Sequence, residues 1–465
     1  MKSIILRTIK YLSVLVLFLG ILGIAKISAS AAELNMHVIN IGHGDGILLE
    51  SAGHYMLVDS GETSGKKTLM AYLEKNIVGD TIDYVVATHA DKDHISGFPA
   101  VFDKYVIKQL IYGEPMKPLI NSETGKESNF GKFVDAINTE EGLVHGNSFR
   151  GQTFSFGDAN VEVIYDGRLG TTYNESSIVM RITCGNKSIL MTGDLPTTME
   201  TKLMKLGYNF KANILKVGHH GAGASTSNEF IEHVNPTHAV IPNGTTDDGV
   251  YFPKDSVLQR LALHFVKTYL ATEGDIVMNI KNNVISTTHV ENKKFECISR
   301  GQITIKQKKY YAPSTVGKEV IPKFSVYANG QLISSSQYDV KLSDNTHTGV
   351  ATLTVTGNKK KYVGSIETTF NILPRKEKIY IARRSRSRKK VFLQWSKQSY
   401  ASGYEIKYST DKKLKKKVKT IFVKGGTKNT KTIKKLNKKK KYYFKIRAYT
   451  KNIGNGKWSA KKKVK

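Results

Sequence analysis

The chain has 465 residues, a formal net charge of +32 and two cysteines. That length allows two to four domains with ample core, and two cysteines exclude a disulfide-framed scaffold. The charge is uneven: Pro374 to Lys465 carries 34 Lys and Arg against Glu377, Glu405 and Asp411, a net +31 that leaves +1 for everything before it. A near-neutral body and a strongly cationic tail have different tasks.

Lys2, Arg7 and Lys10 precede an apolar run from Tyr11 to Ala25, and Ala29-Ser30-Ala31 offers a small-residue cleavage site. Residues 1–31 read as a secretory signal peptide, with no transmembrane domain left after cleavage. The competing reading is a retained anchor, for which the apolar run is short. Alternation from Leu34 predicts a strand that breaks at Gly42-His43-Gly44-Asp45-Gly46 and resumes at Ile47. A further strand, beginning near His54, ends in Asp59-Ser60-Gly61. Leu69, Tyr72 and Leu73 give Lys66 to Asn76 helical spacing.

Ile82 to Thr88 predicts a short buried strand, and His89, Asp91, Asp93 and His94 follow within six residues. Imidazole nitrogens and carboxylate oxygens are favoured ligands of zinc and related divalent ions. Four such groups this close would repel or strand one another without a cation between them. The bland alternative is a solvated acidic loop with two incidental histidines. A helix over Phe98 to Lys104, a strand over Gln109 to Tyr112, a polar surface insertion from Gly113 to Phe133 and a helix over Phe130 to Asn138 come next. Thr153 to Tyr165 alternates as a strand pair. Asn174-Glu175-Ser176-Ser177 then turns into a strand over Ile178 to Ile182.

The apolar strand Ser188 to Thr192 ends in Gly193-Asp194, which places one carboxylate at the sheet edge and suits the N-cap of a helix over Thr197 to Leu206. The strand beginning near Ala212 ends in Gly218-His219-His220-Gly221. Helices over Asn228 to Val234 and Asp255 to Phe265 alternate with strands His238 to Pro242, Lys267 to Ala271 and Ile276 to Ile280. Cys184 and Cys297, far apart in strand-like stretches, read as buried free thiols.

The tail lacks helical periodicity. Ile303 to Leu373 has short alternating strands, and Lys378 to Lys465 is all-β and resembles fibronectin type III strands, which implies Trp395 and Tyr442 or Tyr443 as core anchors. Its cations should gather on an anionic polymer by counterion release: teichoic acid, the envelope surface or DNA. The sequence displays no aromatic-interleaved stacking platform and no recognition helix, so sequence-specific nucleic-acid recognition is not expected.

The His89–His94 loop resembles the HxHxDH signature of the metallo-β-lactamase superfamily, with Asp91 where the second His usually stands. The Gly42–Gly46 turn resembles the GQGD turn of the extracellular domain of ComEC-type DNA-uptake proteins, with His43 for Gln. His219-His220-Gly221 resembles the HHGS motif of those domains and of teichoic-acid phosphorylcholine esterases, with Ala222 for Ser. The likeness covers residues 34–285 and implies an αββα sandwich, two mixed sheets between helical layers. The later segments resemble bacterial immunoglobulin-like and fibronectin type III strands, implying two further all-β sandwiches. The expected divisions are 1–31, 32–296, 300–373 and 374–465.

The resemblance implies His89, Asp91, Asp93, His94, Asp194 and His220 as metal ligands, and Asp93 and His219 as catalytic groups. The order of His219 and His220 stays open. Asp59, Asp45, Asn174, Ser177 and Ser225 would orient ligands or meet substrate. Two divalent ions are implied, zinc first and manganese admitted by Asp91, which hardens one site. His145 lacks a strand-tip context, so a lactamase-type third ligand is missing, which leaves one ion site open or weakly occupied and disfavours β-lactam hydrolysis. The implied function is a secreted or cell-surface hydrolase, foremost a phosphodiesterase acting on nucleic acid or cell-wall phosphodiesters. The alternatives are a catalytically inactive surface-binding protein and a lactonase or lactamase-type hydrolase.

Overall fold

A computed structural model describes residues 32–113, 115–116, 128–307 and 309–465. The expected signal peptide and the middle of the polar insertion lie outside these residues. The chain divides into two compact units between Lys294 and Phe295.

In the first unit, β1 (Glu33–Val38), β2 (Gly46–Ser51), β3 (His54–Ser60), β4 (Thr81–Ala87), β5 (Val106–Tyr112) and β6 (Val144–Asn147) lie in one sheet. With β14 (Ile276–Lys281) and β15 (Val284–Ser286) it has eight strands in the order β15-β14-β1-β2-β3-β4-β5-β6. The second sheet holds β7 (Thr153–Phe156), β8 (Ala159–Tyr165), β9 (Val179–Cys184), β10 (Lys187–Met191), β11 (Ile214–Lys216), β12 (His238–Ile241) and β13 (Lys267–Leu270). Its order is β13-β12-β11-β10-β9-β8-β7. Each sheet is part antiparallel and part parallel. β3 to β6 run parallel in the first, and β10 to β13 in the second.

Alternating apolar residues from the facing sides of both sheets form one buried cluster, including Met36, Val38, Met56, Val86, Met180, Ile189, Ile214 and Met278. The outer face of the first sheet is covered by α1 (Lys66–Asn76), α2 (Lys92–Ile95), α3 (Phe98–Lys104) and α4 (Asn129–Thr139). They bury Leu69, Leu73, Ile95, Phe98, Phe102 and Phe133 against Leu57, Val85 and Leu110. The second sheet is covered by α5 (Thr197–Lys205) and α6 (Asn228–Val234), through Met199, Leu203, Phe230 and Val234. α7 (Asp255–Leu263) buries Val257, Leu258 and Leu261. The layers are therefore α, β, β, α. Parallel strands leave their carboxyl ends at one rim, where loops are free to project side chains.

The second unit contains two sandwiches. In the first, strands Gln302–Ile305, Phe324–Ala328 and Gln331–Leu332 form one sheet, and Tyr310–Tyr311, Ser365–Leu373, Gly349–Gly357 and Tyr338–Ser343 form the other. The second sandwich pairs Ile379–Arg384, Val391–Trp395 and Thr430–Ile433 against a sheet built on Lys419–Lys424, Gly403–Ser409 and Tyr442–Thr450. Trp395 is the centre of its core, 5.2 Å from Tyr404. Of the two tyrosine anchors expected, Tyr442 packs against that core, while Tyr443 falls on the opposite face. The two-residue period puts Phe444, Ile446 and Ala448 inward, so Phe444 takes the anchoring position. Cys184 and Cys297 are both buried and free.

Candidate metal centre

Four strand ends deliver the site. Asp59 is near the end of β3, His89 follows β4, Asp194 follows β10, and His219 and His220 follow β11. The Gly42–Gly46 turn brings in His43 and Asp45. It fits closely, because a Cβ on Gly44 would lie 2.3 Å from the Asp93 carbonyl oxygen, and φ there is +111°. Asp45 N–H donates to that same carbonyl at 3.2 Å, tying the turn to the His89–His94 loop.

Asp59 organises one side. Its carboxylate accepts from Thr88 N–H at 2.8 Å, from Thr88 Oγ1 at 2.7 Å and from His94 Nδ1 at 2.7 Å. With Nδ1–H committed to Asp59, the Nε2 lone pair of His94 points at Asp194 Oδ1, 3.3 Å away. His220 repeats the arrangement. Its Nδ1 donates to the Pro242 carbonyl at 3.0 Å and lies 3.1 Å from Asp45 Oδ1, outside hydrogen-bond alignment. His220 Nε2 then faces Asp93 Oδ2 at 3.1 Å and Asp194 Oδ2 at 3.3 Å.

Two imidazole lone pairs aimed at two carboxylates are repulsive unless a proton or a cation lies between them. His94 Nε2, Asp194 Oδ1, His89 Nε2 and His43 Nδ1 are all buried without a hydrogen-bond partner. Buried polar atoms are rarely left so, and several within one cluster are what a cation-binding site requires. Asp45, His94, Asp194 and His220 form one group whose ligand atoms lie within 4.8 Å of one another, and His43, Asp93 and His220 form another. The donor set, imidazole nitrogen with carboxylate oxygen, fits a divalent metal ion.

The electrostatics agree. Burial opposes the charged form of His94, but Asp194 and Asp59 outweigh it and carry its pKa well above the ordinary value. His220 is raised in the same way by Asp194 and Asp45. Asp93 and Asp194 are driven the other way: burial favours their neutral forms, yet the surrounding histidines hold both carboxyls well below the usual range.

The remaining expected residues fall in different places. The His89 ring lies 4.1 Å from that of His94 at a tilt of 52°, and its Nε2 is 3.3 Å from Asp91 Oδ2. Asp91 is more open, with 36% of its side chain exposed, and belongs to neither metal-competent group. His219 Nε2 is 3.7 Å from Asp194 Oδ2 with 32% of the side chain exposed. Burial, and then the nearby His220 and Lys216, lower its pKa despite Asp194. Ser177 Oγ accepts from the Asp194 N–H at 3.0 Å. Ser225 Oγ is buried, and the Ser225 carbonyl accepts from Arg260 at 2.8 Å, which pins the histidine loop. Asn174 stands in the expected turn, its Oδ1 buried without a partner, outside both groups. His145 pairs with the Tyr112 hydroxyl at 3.4 Å, away from the cluster.

Two participants escaped the sequence reading. His43 was noted only as a departure from a motif, yet its Nε2 is 3.1 Å from Asp93 Oδ2. Lys216 lies in an apolar strand whose sequence gives it no role. Its side chain is fully buried, donating to Asp45 Oδ2 at 2.5 Å and to the Gly193 carbonyl at 2.7 Å, with Asp194 Oδ1 at 3.5 Å. A lone lysine in the run Ile214-Leu215-Lys216-Val217 was the available signal. His219 and His220 both adopt left-handed backbone conformations, with φ of 50° and 52°.

Residues 40–244 match the Metallo-beta-lactamase superfamily and residues 380–465 the fibronectin type III domain. Residues 40–244 therefore form a metallo-β-lactamase superfamily domain, and residues 380–465 form a fibronectin type III sandwich. ComE operon protein 3 of Bacillus subtilis is 30% identical over 275 residues, 55% of this chain and 34% of that protein. Competence protein ComA of Neisseria gonorrhoeae is 27% identical over 237 residues, 50% of this chain and 30% of that protein. The chain thus spans about a third of the length of these relatives. Among solved structures, the metallo-β-lactamase fold protein YhfI from Bacillus subtilis is 14% identical, covering 54% of this chain and 99% of that one. The TM-score of that match is 0.35.

Proposed function

We propose that the protein is an exported, divalent-metal-dependent phosphodiesterase acting on nucleic acid or cell-wall phosphodiesters, held on anionic polymer by its lysine-rich terminal sandwich. The observation that carries the reading is the pair of buried Nε2 atoms, His94 and His220, both directed at Asp194. His94, Asp194 and His220, with Asp45 and Asp93 beside them, would hold a cation, and His89 with Asp91 would serve a second one. Zinc suits the imidazoles and manganese suits the carboxylate-rich side. Such an ion supplies Lewis acidity towards a phosphoryl oxygen and acidifies water.

The chain's own residues do the rest. Asp59 fixes the His94 ring, and the Pro242 carbonyl with Asp45 fixes His220. His219, partly exposed beside Asp194, is positioned to donate a hydrogen bond from Nε2 to a phosphoryl or leaving-group oxygen. Phe252 flanks His43 and His219 at ring distances of 5.8 and 6.2 Å, giving the site an apolar wall. Relatives named for competence and recombination favour nucleic acid among the phosphodiesters.

The test is a substrate panel on the purified chain loaded with zinc or manganese: bis-p-nitrophenyl phosphate, single-stranded and duplex DNA, teichoic acid and a cyclic lactone, each repeated with Asp93→Ala. Hydrolysis of a phosphodiester that disappears in Asp93→Ala is the expected result. Turnover of the lactone alone, or of nothing at all, would overturn the proposal.

A further inference from the structure

The outer face of the larger terminal sheet carries more than charge. Along Tyr442–Thr450, Phe444, Ile446 and Ala448 point into the core, so Tyr443, Lys445, Arg447 and Tyr449 line the opposite side. The strand register sets Lys445 beside Lys407, Arg447 beside Glu405, and Glu405 beside Phe422. Trp458 lies across this face. Lys445 Nζ and Arg447 Cζ are each 4.5 Å from its ring centroid, and Lys407 Nζ is 5.2 Å away. Phe422 is 62% exposed and meets Tyr449 edge-on at 5.8 Å. Two half-open aromatic patches thus alternate with cations on one sheet, a combination that the linear sequence conceals because Trp458 and Phe422 come from different segments.

A single carboxylate neutralises only part of it. Glu405 is shared between Arg447 at 2.6 Å and Lys407 at 3.4 Å. Glu377 is buried, and Asp411 is occupied by the backbone N–H groups of Lys413, Lys415 and Lys416. Partial burial, together with the like charges of Lys407, Arg447 and Lys461, lowers the pKa of Lys445. The face is a crowded set of cations in want of an anion. A simple polyanion would use only those charges. A chain with phosphates and flat rings would use the aromatics too, since bases stack on Trp, Tyr and Phe whatever their sequence.

We propose that this face binds single-stranded nucleic acid, its bases stacking on Phe422, Tyr449 and Trp458 while Lys407, Lys445 and Arg447 meet the phosphates. This deepens the phosphodiesterase reading by naming the strand that the tail would hold, and it rests on that reading for its purpose alone.

Binding is measured on the full chain in EDTA, so that no turnover is needed, by fluorescence anisotropy of a labelled oligothymidylate. Competitors are the same length of duplex, inorganic polyphosphate and teichoic acid. The single strand should bind tighter than each competitor at equal phosphate concentration. Phe422→Ala and Trp458→Ala should each weaken it about tenfold, leaving polyphosphate binding and the salt dependence unchanged. Phe422→Ala alters an exposed side chain, so it also covers the case in which Trp458→Ala fails to fold. Equal affinity for all polyanions, tighter binding of teichoic acid, or an unchanged single-strand affinity in Phe422→Ala would overturn the inference. Hydrolysis of bis-p-nitrophenyl phosphate, followed separately with metal, keeps the two readings apart. Binding without hydrolysis sinks the enzyme only, and hydrolysis without strand preference sinks this surface only.

Discussion

Lys216 Nζ donates to Asp45 Oδ2 at 2.5 Å with neither side chain reaching solvent, and this contact joins the glycine-rich turn after β1 to the strand that presents His219 and His220. Burial disfavours the ammonium, but Asp45 and Asp194 more than compensate and raise its pKa. Removing one partner of a buried ion pair leaves the other uncompensated, at a cost of about 3–5 kcal/mol. Lys216→Met should therefore lower the denaturant-unfolding free energy of the metal-free first unit by about that amount. A loss under about 1 kcal/mol would show that the pair is not buried in solution.

The histidines set a pH dependence whose sign changes with metal. Without an ion, His94 and His220 have folded pKa values above the ordinary 6.5, so they hold protons at neutral pH. Stability from such groups is complete below pH 6.5 and is lost as pH rises through the folded values. Melts in EDTA should consequently show a less stable first unit at about pH 8.5 than at about pH 6. Metal displaces those protons, so zinc or manganese should bind more tightly at the higher pH and reverse the order. Titration calorimetry in buffers of different ionisation enthalpy should report protons released on binding.

Asp59 and His43 probe how the ligands are held. Asp59→Asn disturbs the acceptor shared by Thr88 and His94, and should weaken metal binding by about 10–100-fold, read by competition with a chelating dye. His43→Ala should cost about tenfold in the same assay, the lower end of that range. An unchanged affinity in His43→Ala would assign His43 to the wall of the site and not to its donors.

Glu377 makes a separate prediction for the terminal sandwich. Burial raises its pKa to about 7 from 4.5, against hydrogen bonds from Ser396 and the charge of Arg375. An acid raised on folding is best tolerated below its unfolded pKa, and its burden grows as pH rises from 4.5 to about 7. Glu377→Gln should thus stabilise this unit by about 2–3 kcal/mol above pH 7 and have little effect near pH 4. Denaturant melts at the two pH values, following Trp395 fluorescence, measure it.

What could be read in advance follows from period and position. The strand ends carrying Asp59, His89, Asp194 and His220 were legible because short apolar runs stopped abruptly at polar residues. α1 and α3 to α7 were legible from their spacing, with ends displaced by a residue or two. Lys216 was not, because nothing local distinguishes an inward lysine on a buried strand from an outward one. Asp45, Gly193 and Asp194, each distant in sequence, account for it. The loop around Asp91 reads in sequence as one continuous ligand set, yet the turn of α2 points Asp93 and His94 inward and leaves Asp91 at the rim. Trp458 was illegible for the same reason as Lys216: its partners are assembled by strand pairing.

Successive left-handed residues at His219 and His220 cost the loop roughly 1–2 kcal/mol each, which glycine there would largely relieve. Mutation therefore tends to sharpen the fold at this point by dulling the chemistry. A lineage released from turnover would drift most easily here, swapping an imidazole for hydrogen. The loop therefore holds two imidazoles in a backbone shape that glycine would suit better, and His219→Gly should raise the stability of the loop while removing the ring beside Asp194.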